Sequence, residues 1–213
     1  MSSLGSITSL KTEFFNRDPR RVARALLGKL LVRKTTRGIL AGRIVETEAY
    51  LGKNDAAAHA AAGRTARNAV LFGPPGHAYV YFIYGNHYCL NVSCLPNGVP
   101  GCVLFRALEP VAGIKQMAEA RGIEVAKGMD RTKIPFLKKI SSGPGRMAEA
   151  LEITRERDNG KSLISARSDL RVVDDGYRAR RVVVTPRIGI VKSAEQPLRY
   201  FIAGNAFVSA RRS

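Results

Sequence analysis

AYVYFIYGNHYCLNVSC, residues 78–94, is the stretch that decides the fold. Both halves are rich in aromatic and β-forming residues, and Gly85-Asn86 between them suits a tight turn. The reading is an antiparallel hairpin, Ala78–Tyr84 with His87–Cys94. Along the first strand Tyr79 and Tyr81 face one way, with Phe82 and Tyr84 on the other face. Tyr79 and Phe82 are expected in the core. Tyr84 stands at the lip of the turn. It is either the rim of a core strand or an exposed aromatic suited to wedging between base pairs.

Moving towards the N-terminus, Gly73-Pro74-Pro75-Gly76 is a firm breaker. Ala56–Ala62 is an Ala-rich run that predicts a short helix ended by Gly63. Before it, Ile39–Tyr50 predicts a long strand, joined through a turn at Thr35–Gly38 to a strand over Lys29–Lys34. Asp18-Pro19 has the residues of a helix start, Asp as N-cap and Pro at the first helical position. Val22, Leu26 and Leu27 follow at helical spacing. Residues 1–15 are expected to be a flexible polar tail with no secretory pattern.

On the other side of the hairpin, Val99–Leu108 predicts a strand and Val111–Arg121 a helix. Arg146–Leu151 predicts a second helix. Arg181–Thr185, Leu198–Ala203 and Ala206–Ala210 predict strands. The expected fold is α+β, a single domain over residues 16–213 around a largely antiparallel sheet.

Thirty-five Lys and Arg against 17 Asp and Glu leave a net charge of +18, which calls for a polyanionic partner. Residues 51–110 hold only four of the basic residues, yet four of the seven tyrosines and all three histidines. That segment reads as core and pocket, and the flanks as the surface that meets the anion. No apolar run approaches a membrane span. Cys89, Cys94 and Cys102 are odd in number and sit in apolar surroundings. With no C-x-x-C pair, they read as buried strand cysteines of a reducing compartment, not as a disulfide framework or metal site.

In Ile44-Val45-Glu46-Thr47-Glu48-Ala49-Tyr50, strand alternation puts Glu46, Glu48 and Tyr50 on one face, with Ile44 below them. Three readings stay open: a two-carboxylate glycosidase site, one working Glu with a structural partner, or an exposed acidic patch. Tyr50, His59 and Tyr81 together would line a slot for a planar base. A lone His in an Ala-rich run is more often structural. Asn91 is an amide in an apolar strand, so it is either a structural bridge or a base-edge reader. Arg106, in another apolar run, needs a carboxylate or a phosphate. Ser142-Gly143-Pro144-Gly145-Arg146 is either a phosphate site at a helix start or a plain cap.

Taken in order, Arg43–Gly52, Asp55, His59, Gly63-Arg64, Arg67-Asn68, Tyr79-Val80-Tyr81, Tyr84-Gly85, Cys89–Ser93, Arg106–Pro110 and Ser142-Gly143-Pro144 resemble the alkyladenine (3-methyladenine) DNA glycosylases. The match runs from about Pro19 to Ser209. The resemblance implies a curved sheet with a protruding hairpin. It also implies base excision repair, in which a damaged purine is flipped from double-stranded DNA and its bond to the sugar is hydrolysed. Glu48 would then activate the water, with Arg106 placing it. Tyr50, His59 and Tyr81 would sandwich the base. Asn91 would disfavour a guanine amino group, and Tyr84 would fill the gap in the duplex. Arg64, Ser142, Gly143, Gly145 and Arg146 would grip the backbone. The family further implies a cytoplasmic monomer with no metal, cofactor or lysine nucleophile, whose product passes to abasic-site repair enzymes. The rival readings are a non-catalytic nucleic-acid binder using the same basic face and a nucleoside hydrolase, for which so high a charge has no use.

Overall fold

The computed structural model describes residues 7–83, 85, 87–124 and 133–209. Among them, nine strands form a single sheet, in which every pairing is antiparallel. The strands are β1 (Thr8–Ser9), β2 (Leu30–Thr35), β3 (Gly38–Tyr50), β4 (Ala78–Ile83), β5 (His87–Ser93), β6 (Cys102–Ala112), β7 (Leu170–Asp174), β8 (Val182–Thr185) and β9 (Arg199–Ile202). Their order is β1-β7-β2-β3-β6-β5-β4, and β9 joins β3 with β8 on its far side. The helices are α1 (Thr12–Phe15), α2 (Pro19–Leu26), α3 (Ile114–Ala120), α4 (Ile134–Ser141), α5 (Pro144–Ala150) and α6 (Arg155–Asp158). This is the expected α+β architecture. No described helix is long and apolar enough to cross a membrane.

β3 is the pivot. One edge pairs with β6 along most of its length. The other edge pairs with β2 from Gly38 to Arg43 and with β9 from Glu46 to Glu48. Between these two partners Val45 is skipped in the register with β6, and just beyond it Arg106 is skipped on β6. These are β-bulges, and each re-aims a side chain. Ile44 and Val45 therefore both enter the core, and strict alternation resumes only from Glu46.

The sheet separates two apolar clusters. Val80, Leu90, Val92, Val103 and Phe105 point into the main core with α2, α4 and α5. Tyr79 and Cys102 point the other way and, with Ala60 and Leu71, form a smaller cluster flanked by Tyr50 and Tyr81. The three cysteines are free and buried. The Asp18 carboxylate accepts a 2.8 Å hydrogen bond from the Arg20 amide and caps α2 ahead of Pro19. The Thr47 hydroxyl donates to the Ala23 carbonyl at 3.0 Å, fastening α2 to β3.

Some expectations are corrected. Ala56–Ala62 is a chain of turns, not a helix. The Asp55 carboxylate captures the amides of Leu51 and Ala57, and so short a run cannot offset helix nucleation. The strand expected from Val99 starts at Cys102, because Pro96–Val99 closes a turn, and it continues through Pro110. The missing N–H of Pro110 falls at another register shift, opposite Gly42. α3 accordingly starts at Ile114 after Gly113, whose φ is +74°. Residues 206–209 are turns and no strand, since the Asn205 side chain accepts from the Phe207 amide. Phe82 is 47% exposed and not in the core: it lies two residues beyond Val80, near the end of β4, where its ring pairs with Tyr88 at a centroid distance of 5.0 Å. The stretch read as a tail contains β1, paired with β7, and α1, which buries Phe15.

Candidate active site

Glu46, Glu48 and Tyr50 share the face that alternation assigns them, and both carboxylates meet one guanidinium. Arg106 Nε donates to Glu46 at 3.0 Å, and Nη1 lies 3.2 Å from Glu48 Oε1. The two glutamates nonetheless differ. Glu46 also accepts from Arg199 Nε at 2.6 Å and from the Ser209 amide and hydroxyl at 2.7 and 2.9 Å. Four donors converge on it, three on Oε1 and one on Oε2, which makes it a structural anchor. Glu48 Oε1 accepts from the Ile188 amide at 2.8 Å, and Oε2 from the Tyr50 hydroxyl at 3.1 Å. A carboxylate offers about four acceptor positions. Among the described residues, Glu48 keeps one position open on Oε2. Two carboxylates and two guanidiniums sum to zero charge in this cluster, which lets all four be buried.

Beside it lies a cavity of about 130 Å³, lined by Tyr50, His59, Tyr79, Tyr81, Asn91 and Ile190 among others. His59 and Tyr81 meet edge to face with centroids 4.5 Å apart. His59 Nδ1 is 2.8 Å from the Tyr79 hydroxyl. Asn68 steadies this loop by donating to the carbonyls of His59 and Gly63. Burial first, then the nearby charge of Arg67, lowers the His59 pKa. Burial pushes Tyr79 up to about 12 and also raises Tyr50, which the Glu48 charge raises further. The phenols therefore stay protonated, and Tyr50 is the donor towards Glu48. Asn91 is buried, donates to the Tyr79 carbonyl at 3.1 Å and faces the cavity. It is thus a structural bridge that also lines the cavity.

Arg106 has two carboxylate partners, Glu46 and Glu48. Its burial disfavours the charge, but Glu48 and Glu46 outweigh this and hold the guanidinium charged. Arg64 is exposed. Ser142 is buried and its hydroxyl donates to the Phe207 carbonyl at 2.8 Å, leaving Arg146 as the charged group of that segment. Gly143 adopts φ +124° and precedes α5, and Gly145 packs against the His87 ring. Tyr84 lies outside the described residues. A larger hollow, about 410 Å³, opens between His87 and α5, but Glu149 and Glu152 line it and would repel a phosphate chain.

Sequence reading missed Arg187, Ile188, Ile190, Arg199 and Ser209. Arg187 pairs with Asp55 through two hydrogen bonds, 2.6 and 2.8 Å, with both side chains fully buried. It also donates to the Ala49 carbonyl at 3.0 Å, and its guanidinium lies 4.5 Å from the Tyr50 ring centroid. A lone Arg after Pro186 carried no periodic signal. Ile188 contributes a backbone amide, which no side-chain pattern encodes.

The Methylpurine-DNA glycosylase (MPG) family model matches residues 13–206. A protein of Koribacter versatilis is 64% identical over 211 residues, covering 99% of this chain and 98% of its own length. Proteins of Methanocella arvoryzae and Clostridium acetobutylicum are each 43% identical, covering 95% and 92% of this chain and 96% and 95% of their own lengths. Each of the three is named as a candidate 3-methyladenine DNA glycosylase. On the family match and these identities, the chain belongs to the methylpurine-DNA glycosylase family.

Proposed function

We propose that this protein is a monofunctional DNA glycosylase of base excision repair, acting as a monomer on damaged duplex DNA in the cytoplasm. An alkylated purine such as 3-methyladenine turns out of the stack into the cavity beside Tyr50, His59 and Tyr81. Water held by Glu48 then attacks the sugar carbon, and an abasic site remains for later repair enzymes. 7-Methylguanine, hypoxanthine and ethenoadenine are further substrates of the same pocket, with Asn91 weighing against a guanine amino group.

The observation that carries this reading is the asymmetry of the two glutamates. Glu46 takes four donors, whereas Glu48 takes two hydrogen bonds and the Arg106 ion pair, is joined to the aromatic slot through Tyr50 and keeps an acceptor position for water. One carboxylate suffices for the cationic lesions. N-alkylation makes the base cationic and a good leaving group, so the acid required of ordinary glycosidases is dispensable. The Glu48 charge also favours the cationic sugar of the transition state. Flipping costs least for damaged bases, which adds selectivity before the chemical step.

Tyr84, the residue that follows β4 in the chain, is the wedge of this reading. Arg64 and the Ser142-Gly143-Pro144-Gly145-Arg146 segment hold the DNA backbone, chiefly through the two guanidiniums. The test is release of base from N-methylated duplex, followed by chromatography, for the wild-type chain and Glu48→Gln. Release by the first and not the second is expected. If neither releases a base while both bind DNA, a non-catalytic nucleic-acid binder takes the enzyme's place.

A further inference from the structure

Arg187 lies over the ring on which a flipped base would stack, and Asp55 holds it there. Both side chains are fully buried, and Arg187 is not among the residues that line the cavity. The guanidinium covers the rear of Tyr50 at 4.5 Å. A base stacked on the front would sit about 8 Å from it, a distance at which a unit charge still matters in a protein interior. Burial opposes the Asp55 charge, yet the Arg187 hydrogen bonds and the amides of Leu51 and Ala57 outweigh burial and lower its pKa. The pair is therefore ionised and sums to zero.

A buried ion pair is a costly way to fasten a loop, and apolar residues of similar volume often serve as well. Its chemistry fits a second role. Lesions of the proposed substrate class fall into two electrostatic kinds: N-alkylated purines are cations, and deaminated purines are neutral. Arg187 alone would repel the cations through the ring. With Asp55 bound in two-point contact, the planar guanidinium stiffens Tyr50 and adds no net charge.

We propose that the Asp55–Arg187 pair sets the preference of the base pocket between cationic and neutral lesions, with Asp55 cancelling the charge that Arg187 places behind Tyr50. This rests on the glycosylase reading above. Neither residue touches the reacting atoms; both act through Tyr50.

The experiment compares single-turnover release of 7-methylguanine and of hypoxanthine from otherwise identical duplexes. Asp55→Asn should lower the ratio of the two rates about tenfold, the order expected for one uncompensated charge at this distance. Adding Arg187→Gln to it should return the ratio to within about threefold of wild type, although both rates remain reduced. If Asp55→Asn slows both lesions equally, or if the double variant keeps the lowered ratio, charge is not the cause and the proposal fails. If thermal melts show Asp55→Asn unfolded, Arg187→Gln alone decides. It leaves the Asp55 charge in excess and should raise the ratio, and an unchanged ratio overturns the proposal. Where the wild type releases 7-methylguanine alone, the absolute rate is read in place of the ratio, with slowing by Asp55→Asn and recovery in the double variant expected. A wild-type chain that releases neither base defeats the glycosylase reading itself.

Discussion

Two glutamates two positions apart on β3 occupy opposite roles, and single substitutions should separate them. Glu46→Ala leaves Arg106 and Arg199 buried without their shared partner. Losing one member of such a network costs about 3–5 kcal/mol. Urea unfolding should show a loss of that size, whereas Glu48→Gln, which leaves Arg106 its Glu46 partner, should lower the midpoint less and lose base release. His59 gives a pH signature. Its pKa lies below the ordinary 6.5, so the ring is neutral at pH 7 and becomes cationic only as pH falls below that value. A charged ring would oppose a cationic base in the slot. Release of 7-methylguanine should therefore fall on the acid side with a midpoint below 6.5. His59→Gln should remove the part of that fall that release of hypoxanthine does not share. A midpoint above 6.5 would show that another group governs the limb.

The elements that sequence reveals best are those governed by neighbours along the chain. The Asp18-Pro19 helix start and the β4–β5 hairpin follow from local chemistry, and both are present. The shared face of Glu46, Glu48 and Tyr50 was readable because a strand repeats every two residues. The bulge at Val45, which places Ile44 and Val45 together in the core, has no such period. The Ala-rich run misled because a side chain just before it, Asp55, was already committed to Arg187 132 residues away. The donor at Ile188 is 140 residues from Glu48 and acts through its backbone, so no residue type announces it. Packing between elements yields a further expectation. A Cβ on Gly145 would lie 2.9 Å from the His87 ring, where α5 meets the turn end of the hairpin. Gly145→Val should push the two apart and destabilise the fold by about 1–3 kcal/mol, seen as a lowered melting temperature. An unchanged melting temperature would mean that the hairpin is free to shift.

At the scale of the molecule, the excess of positive charge is a field rather than a set of contacts. Affinity for any duplex should fall steeply between 50 and 200 mM salt, with a log–log slope of about −0.9 per phosphate neutralised. A nearly flat titration would remove DNA as the partner. Arg64→Ala and Arg146→Ala should each reduce that slope by about one and leave single-turnover rates at saturating enzyme nearly unchanged. The same whole-chain view accounts for the low charge of residues 51–110, whose strands are largely buried. Cys89 and Cys102 are pushed by burial to about 11 and 12, so an aromatic disulfide reagent at pH 8 should label neither until the chain unfolds.

The position of β3, bonded along both edges to β2, β6 and β9, has a consequence for motion. Its backbone amides open only when the sheet itself comes apart, whereas the turns from Ala57 to Arg67 are held by a handful of local bonds. In native-state hydrogen exchange the segment carrying Glu48 should be among the last to take up deuterium, and the loop carrying His59 among the first. The molecule would thus keep its hydrolytic group on a stationary anvil while the opposite wall of the pocket breathes, sampling one base after another.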